Sequence, residues 1–596
     1  MKNFLKQVFS SCLGTLVALS LISTLSFAAF IALITMFAGS EPSRKIKDES
    51  ILVFDTSIII QDRNPSNTVG DVITGGLPNV VSLRDVTKAI RAAAEDGKIT
   101  GMLLDGRTDN FNGYASLKEV RDALKVFREA GKKIYVYDVG MTEREYYLAS
   151  LADEIWLNPM GTFEVNGFGA EQMFLQGALE KYGIGVQIVR VGTYKGAVEP
   201  FIRKDFSPEN RQQTEAFLGD LWGEFKTTTA GDRPFDANTL QNLANTVGII
   251  EPEAAEAADL VTRVAYFDQI LDELKEFTGT DKDEEFPQIS LAEYRDKLDL
   301  ETVGEFSENQ IAVIYAEGNI VGGEGTPSSI GGDSFSRELR QLRLDEEVKA
   351  IVLRVNSPGG SATASDIILR ELQLLREAGK PVIVSMGDVA ASGGYWIATE
   401  SDRIFAQNNT ITGSIGVFGV LPNVQKIGND NGLTWDVVKT GELANLGSSS
   451  RPKNPQELAI FQGFVNDIYD DFLGRVSEAR GLTKEQVNQI AQGRVWSGKD
   501  AKNIKLVDQI GGLNEAIAYA IEKSEIGEDY IVKEYPMRQT WEEELLKDLF
   551  GDVQALQAAD PVTEELQKLQ AGLELWRSLN DPKQVYALFP WQLHID

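Results

Sequence analysis

Apolar runs of strand length alternate with amphipathic stretches along most of the chain. Residues 99–106 (ITGMLLDG) and 134–140 (IYVYDVG) are short apolar runs bounded by glycine, which is typical of buried strands. Between them, residues 117–132 show the spacing of an amphipathic helix that ends at a glycine. Further on, a strand-like run at 348–360 is followed by a helical stretch at 367–380. This alternation predicts an α/β fold.

The same order of elements occurs twice. A shift of 249 positions takes YYLAS (146–150) onto YWIAT (395–399) and Gly167 onto Gly416, and no gap is needed over about fifty residues. Self-similarity of this kind indicates a tandem duplication. We therefore predict four segments: an N-terminal tail with a membrane anchor (1–40), a first repeat (41–300), a second repeat (301–535) and a helical C-terminal extension (536–596).

The longest apolar segment covers residues 13–38, which contain no charged side chain. A helix needs about 20 apolar residues to span a bilayer, whereas the apolar region of a cleavable signal usually has about 7–15. The segment is predicted to be an uncleaved, single-pass anchor, with cleavage near Ala28–Ala29 as the alternative. Its flanking charges do not decide the orientation. We expect the N-terminus on the cytoplasmic side and the repeats on the exported side, periplasmic or lumenal.

Composition excludes several kinds of site. The net charge of −31 argues against a nucleic-acid partner. The single cysteine, Cys12, and the single histidine, His594, exclude an internal disulfide, a zinc site built on cysteines and a metal site with several histidines in one chain. We predict no metal and no cofactor. A Ser-His-Asp triad would have to use the chain end, so a nucleophilic serine is expected to take a lysine as its base.

The candidate nucleophile is Ser392, in the stretch 380–400 (KPVIVSMGDVAASGGYWIATE). The pattern predicts a buried strand, then a turn of small residues, then a helix. Small neighbours leave the serine hydroxyl uncovered and allow a substrate backbone to come close. Free backbone N–H groups at such a turn favour a developing oxyanion. The alternative is that Ser392 only caps the helix.

The two repeats have lost complementary residues. The shift of 249 takes Glu143 onto Ser392, so the first repeat has no serine at that position. The same shift takes Lys195 onto Ala444, so the second repeat has no lysine there. Taken alone, Lys195 would be an ordinary surface lysine. The pairing predicts one composite site, with Ser392 from one repeat and Lys195 from the other.

A lysine acts as a base only when it is neutral, and its usual pKa is about 10.4. Desolvation lowers the pKa of an amine. Val191, Ala197, Val198 and Phe201 are candidates for an apolar wall around Lys195, and Glu199 is expected to point away from it.

Two glycine-rich stretches complete the predicted site. NSPGG (356–360) ends a strand, and the N–H groups of Gly359 and Gly360 are candidates for an oxyanion hole together with those of Ser392 and Gly393. A tight turn that needs glycine is the alternative explanation of this stretch. TGSIGVFG (412–419) contains Ser414, a candidate to hydrogen-bond the lysine and orient it.

Four motifs, NSPGG, MGDVAASGGYW, TGSIGVFG and VGTYKGAVEPF, resemble the long-form signal peptide peptidases of family S49, from about residue 50 to 535. The resemblance implies tandem spiral domains of the crotonase/Clp-protease type, with the nucleophile at Ser392, the base at Lys195 and a serine at Ser414 beside the lysine. It also implies a bowl-shaped homotetramer on the exported membrane face.

The predicted function is a membrane-anchored serine endopeptidase that degrades released signal peptides and other extended apolar peptides. A non-catalytic, membrane-tethered scaffold for peptides or partners is the main alternative. Acyl-CoA chemistry on a related fold is a weaker one, because the sequence offers no recognisable CoA pocket. In the extension, 541–550 and 562–576 are predicted helices that cover an apolar groove of the same chain or bind a partner.

Overall fold

A computed structural model describes residues 46–63, 80–108, 110–302, 306–536, 581, 583 and 585–588. The predicted anchor at 13–38 and the predicted tail helices at 541–550 and 562–576 lie outside these residues. Among the helices of the described part, none is both long and apolar enough to cross a bilayer.

The described chain alternates strands and helices, as the sequence pattern predicts. The strands are β1 (Ser50–Asp55), β2 (Ile59–Gln61), β3 (Val80–Ser82), β4 (Ile99–Gly106), β5 (Lys133–Met141), β6 (Glu154–Val165), β7 (Gly185–Val191), β8 (Gly248–Ile250), β9 (Arg263–Val264), β10 (Gln288–Ser290), β11 (Gln310–Glu317), β12 (Asn319–Val321), β13 (Ser329–Gly331), β14 (Val348–Ser357), β15 (Gly359–Ser361), β16 (Val382–Ala391), β17 (Arg403–Ala406), β18 (Ile411–Gly413), β19 (Val417–Asn423), β20 (Val495–Ser497), β21 (Gln509–Ile510), β22 (Ile531–Tyr535) and β23 (Tyr586–Leu588). The helices are α1 (Leu83–Glu95), α2 (Tyr114–Glu129), α3 (Glu143–Ala149), α4 (Gln176–Tyr182), α5 (Glu199–Ile202), α6 (Pro208–Asp232), α7 (Ala237–Thr246), α8 (Pro252–Ala257), α9 (Phe267–Phe277), α10 (Leu291–Thr302), α11 (Gly332–Leu344), α12 (Ala362–Glu377), α13 (Gly393–Ala398), α14 (Gln425–Asp430), α15 (Pro455–Arg480), α16 (Lys484–Ile490), α17 (Gly498–Asn503) and α18 (Leu513–Ser524).

Each half of the chain builds its own sheet. In the first half, β10, β1, β4, β5 and β6 run parallel, and β8 closes the edge antiparallel to β6. In the second half, β22, β11, β14, β16 and β18 run parallel, and β20 closes the edge antiparallel to β18. The shift of 249 takes the start of β4 onto the start of β14, and that of β5 onto that of β16. The two sheets are therefore equivalent in topology as well as in sequence.

A third sheet joins the two halves. Its order is β13-β12-β15-β23-β19-β7, so β7 of the first half pairs with β19 of the second. The pairing is antiparallel over seven residue pairs, from Gly185 opposite Asn423 to Val191 opposite Val417. The segment that carries Lys195 directly follows β7. The pairing of β7 with β19 therefore places Lys195 next to the second half.

The central strands are apolar on both faces because helices cover both sides of the sheet. In β14, the four residues from Ala350 to Leu353 are completely buried. The following residue, Arg354, is also completely buried, although arginine is almost never found so deep without a charged partner.

Arg354 links the two halves electrostatically. Its Nε donates to Asp62 at 2.7 Å, and its Nη1 lies 2.8 Å from the carboxylate of Glu119; both acids belong to the first half and are buried. Glu119 also accepts the N–H of Leu513 from the second half at 2.7 Å. Burial alone would lower the pKa of Arg354, but the two carboxylates raise it above its ordinary value. The guanidinium therefore stays charged and holds the halves together.

Replacing Arg354 by leucine is expected to lower the free energy of unfolding by about 3–5 kcal/mol, because two carboxylates would remain buried without a cation. Urea unfolding followed by tryptophan fluorescence measures this change. Arg370→Leu is the matched control, since its ion pair with Glu377 is exposed and is worth at most about 1 kcal/mol. Equal stability of the two variants would contradict the role of Arg354.

Candidate active site

Ser392 lies at the abrupt junction between β16 and α13. Its φ is 57° and its ψ is −113°, a conformation that costs a non-glycine residue about 1–3 kcal/mol. Backbone hydrogen bonds hold it there: the Ser392 N–H donates to the Gly413 carbonyl at 2.8 Å, and its own carbonyl accepts the N–H of Trp396 at 2.8 Å. The hydroxyl does not cap the helix. The capping alternative is therefore wrong.

The glycines after the serine are required by close packing. A Cβ at Gly393 would lie 2.8 Å from the Ser365 hydroxyl. A Cβ at Gly394 would lie 2.5 Å from the Ser357 carbonyl oxygen. The first contact packs the strand–turn–helix junction against α12, and the second packs it against the NSPGG turn.

Lys195 reaches this junction from the other half of the chain. Its Nζ lies 2.8 Å from Ser392 Oγ, 2.9 Å from the Ser414 carbonyl oxygen and 3.0 Å from Ser414 Oγ. All three side chains are completely buried. The structure thus brings together the two residues that the duplication pairs, with Ser414 beside the amine.

The Lys195 amine is buried, and no carboxylate of the described residues raises its pKa. Desolvation lowers the pKa of Lys195 well below its ordinary value of 10.5. The predicted acidic neighbour, Glu199, points away: its carboxylate accepts the N–H of Ser207 at 3.1 Å and the amide of Asn210 at 3.0 Å. The lysine is therefore biased towards its neutral form.

The loop that carries Lys195 is held by residues that the sequence analysis did not single out. Gln213 donates from Nε2 to the Tyr194 carbonyl at 2.9 Å and accepts the N–H of Val495 at 3.1 Å, so it ties the loop to β20. The Tyr194 N–H donates to the Gln492 carbonyl at 2.8 Å. These are polar residues on a helix and a turn, and no motif marks them.

Backbone from the second half forms much of the wall around the lysine stem. A Cβ at Gly416 would lie 3.2 Å from Lys195 Cδ, and one at Gly493 would lie 2.7 Å from Lys195 Cβ. Gly416 lies in a motif that the sequence analysis used, but Gly493 does not. Of the predicted wall, Ala197, Val198 and Phe201 are buried.

The four predicted oxyanion residues meet at the same junction, but their N–H groups differ in availability. The Ser392 N–H is engaged with Gly413, and the Gly359 N–H donates to Ser357 Oγ at 3.1 Å. Among the described residues, the Gly393 N–H has no hydrogen-bond acceptor. The prediction that the Ser392 N–H belongs to the oxyanion hole is therefore wrong, because this N–H already donates to Gly413.

The equivalent position in the first half is closed. Glu143, in place of the serine, is buried and accepts the N–H groups of Asn166 and Gly167 at 2.8 and 3.0 Å. Ala444, in place of the lysine, is exposed in an irregular segment. The chain therefore contains one complete Ser–Lys pair among the two equivalent positions.

Comparison with known proteins identifies the family of the chain. The model of Peptidase family S49 matches residues 126–281 and 374–527. Protease 4 of Salmonella typhi is 35% identical over 578 residues, which cover 93% of this chain and 92% of the relative. Protease 4 of Haemophilus influenzae is 35% identical and covers 93% of each chain. The chloroplastic serine protease SPPA of Arabidopsis thaliana is 33% identical and covers 77% of this chain and 68% of its own.

Among solved structures, a ClpP1 mutant from Listeria monocytogenes covers 35% of this chain and 95% of its own at 16% identity, with a TM-score of 0.24 that is too low to bear on the fold. The family assignment rests on the sequence matches. Two copies of the family domain in one chain agree with the duplication seen in the sheets. The chain belongs to peptidase family S49 and is a serine protease with an α/β fold and tandem S49 domains.

Proposed function

We propose that the protein is a Ser–Lys endopeptidase in which Ser392 is the nucleophile and Lys195 the general base. The observation that carries the proposal is the 2.8 Å distance between Lys195 Nζ and Ser392 Oγ in a completely buried setting. A base must lie within hydrogen-bond reach of the proton that it removes, and its pKa must be near the working pH. Desolvation shifts the pKa of Lys195 in the direction that the second condition requires.

The contacts of the amine suit a neutral lysine. The Ser414 carbonyl can only accept, so it takes one N–H of the amine. Ser414 Oγ takes the other, and the remaining lone pair faces the Ser392 hydroxyl. Ser414 is therefore assigned as a positioning residue that aims the lone pair.

The reaction follows from this arrangement. Lys195 removes the Ser392 proton as Oγ attacks the peptide carbonyl, and the resulting ammonium returns the proton to the leaving amine. Water then hydrolyses the acyl-enzyme with Lys195 again as base. The oxyanion is assigned to the N–H of Gly393, which lies beside the Gly359–Gly360 turn.

The proposed substrates are released signal peptides and other extended apolar peptides. The support is the sequence resemblance and the apolar stretch at 13–38, which would anchor the exported protease beside the membrane in which such peptides are left. The proposal also includes the predicted division of the chain into an anchor (1–40), two repeats (41–300 and 301–535) and an extension (536–596).

Assembly into a homo-oligomer, with the tetramer implied by the resemblance, is also proposed. A shift of 249 positions takes β7 forward onto residues 434–440 and takes its partner β19 back onto residues 168–174. Neither segment is a strand in the described sheets, and Met173, Trp435 and Val438 in them are exposed. Contiguous exposed apolar patches mark interaction surfaces, and Trp435, Val437 and Val438 form such an exposed apolar run. Pairing of these segments between neighbouring copies would repeat the contact that β7 makes with β19.

Covalent labelling tests the nucleophile. A fluorophosphonate probe is expected to attach to Ser392, and mass spectrometry of the digested protein identifies the labelled residue. A label on any other serine, or no label on a protein that hydrolyses peptides, would contradict the assignment.

The pH dependence tests the base. Since the pKa of Lys195 is lowered in the folded protein, the neutral amine forms as pH rises through a value well below 10.5. kcat/KM for an uncharged peptide is therefore expected to rise with pH and to level off below pH 10.5. The same shift means that the folded state binds fewer protons than the unfolded chain, so the destabilisation caused by burying Lys195 is largest at low pH and decreases towards pH 10.5. A rate that falls or stays flat between pH 5 and 9 would contradict a lysine base.

A further inference from the structure

A cavity of about 320 Å³ lies at the boundary between the two halves of the chain. One wall is the helix α1 of the first half, and the other wall is the start of α18 from the second half. Arg84, Lys88 and Arg91 line the cavity from α1, and Asn514 and Ile517 line it from α18. None of these residues belongs to the proposed catalytic site.

The three basic side chains have the spacing of one helix face. Lys88 follows Arg84 by four residues and Arg91 follows Lys88 by three, so the three are neighbours on the surface of α1. Like charges at this spacing destabilise a helix. The cluster is also opposite in sign to the chain as a whole, whose net charge is −31. An anion bound between these side chains would relieve their mutual repulsion.

Arg91 is the member of this cluster that lacks a partner in the described part of the chain. Arg84 Nη1 lies 3.4 Å from the carboxylate of Glu534. Among the described residues, Arg91 has no ion-pair partner, and its Nε is shielded from solvent without a hydrogen-bond acceptor. Glu95 also lines the cavity, but it is exposed and forms no ion pair with Arg91. A shielded donor without an acceptor is rare in folded proteins, and it marks the place where a ligand atom would accept.

The second half shows which partner such an arginine takes. The shift of 249 takes the bounds of α1 onto those of α11 and takes Arg91 onto Arg340. Arg340 pairs with Glu371 of α12 at 2.5 Å. The residue equivalent to Glu371 in the first half is Asp122, whose shorter side chain pairs with Lys118 of its own helix at 2.5 Å. Arg91 therefore lacks the carboxylate that its counterpart has.

We propose that this cavity binds a phosphate group and that the bound anion links α1 to α18. Arginine binds phosphate through two parallel N–H donors, and one phosphate group accepts from several cations at once. Three cations on one wall favour a phosphate over a carboxylate, which a single guanidinium can satisfy. Asn514 adds an amide donor in the first turn of the 12-residue helix α18, where the helix dipole favours an anion.

The cavity has one wall from each half, so the ligand binds only when the two halves are in contact. A ligand that binds the folded state alone stabilises that state by mass action. Phosphate would therefore strengthen the contact that also brings Lys195 within 2.8 Å of Ser392. The inference does not depend on the proposed catalysis, because it assigns no role to either of these two residues.

Isothermal titration calorimetry of the full-length protein with inorganic phosphate, at constant ionic strength, tests the site. Binding is expected at millimolar phosphate. Arg91→Gln should weaken it by about 10-fold or more, the effect of losing one charge-assisted hydrogen bond. Asn514→Asp should weaken it at least as much, because it places a carboxylate in the cavity. This variant should fold, since aspartate is favourable in the first turn of a helix.

The control variant for charge alone is Lys125→Gln. Lys125 is an exposed lysine on α2 of the same half, and its ion pair with Glu129 is long, at 3.9 Å. This variant should bind phosphate as the unaltered protein does. Phosphate should also raise the melting temperature of the unaltered protein and of the control, but not that of Arg91→Gln or Asn514→Asp.

Two phosphate compounds distinguish the possible sources of the ligand. Glycerol 3-phosphate represents soluble phosphate esters, and a short-chain phosphatidylglycerol represents a phospholipid headgroup. The compound that binds more tightly, and that loses affinity in Arg91→Gln and Asn514→Asp, identifies the source. Absence of phosphate binding by the unaltered protein, or equal affinity in every variant, would overturn the proposed site.

Discussion

Ser392→Ala is expected to reduce peptide hydrolysis by at least about 10⁴-fold, because an alanine offers no oxygen to form the acyl-enzyme. The fold should survive, since alanine keeps the Cβ and the only partner that the hydroxyl has among the described hydrogen bonds is the Lys195 amine. Turnover of a fluorogenic peptide measures the activity, and circular dichroism measures the fold.

Two further variants separate loss of chemistry from loss of structure. Ser401→Ala changes a serine three residues after the same short helix. Its hydroxyl donates to the Ala398 carbonyl at 2.8 Å, and the variant should keep full activity. Ser392→Gly should be as inactive as Ser392→Ala but more stable, because glycine tolerates a φ of 57°. Measurable turnover by Ser392→Ala would refute the nucleophile.

Lys195→Met has the second-largest expected effect. Methionine has a similar length and fills the buried channel, but it has no lone pair for the Ser392 proton. Loss of a general base typically costs 10²–10⁴-fold, so we expect kcat/KM and the rate of fluorophosphonate labelling to fall together by about 10³-fold. The residual labelling should also lose the rise with pH that the lysine produces.

The matched control for this variant is Lys181→Met. Lys181 is exposed on α4 in the same half of the chain, shortly before β7. It should leave both rates unchanged. A Lys195→Met protein that is folded and retains the activity of the control, or its pH profile, would show that another group removes the proton.

The contact between Lys195 and Ser392 could be predicted from the sequence because each residue lies in a recognisable pattern. The duplication aligns Glu143 with Ser392 and Lys195 with Ala444, and a complementary loss can be read without coordinates. The α/β pattern follows from apolar strands whose two faces are both covered. The hydrogen bond between Lys195 and Ser414 was expected because Ser414 lies in the TGSIGVFG motif.

Other features depend on contacts between distant parts of the chain. Nothing in the sequence near Gln213 or Gly493 shows that they hold or wall the lysine, because these contacts exist only after β7 has paired with β19. The same applies to the Ser392 N–H, which the junction uses for Gly413. The three residues of β23 are too few for a pattern of their own, and only the sheet defines them as a strand.

The pairing of β7 with β19 has a consequence for synthesis of the protein. On the proposed mechanism, a nascent chain that has emerged only as far as residue 350 holds the amine but lacks the hydroxyl. Its first sheet can form during translation, but the partly synthesised chain cannot hydrolyse other polypeptides. Proteolytic activity begins only after the second half has been synthesised and β19 has paired with β7.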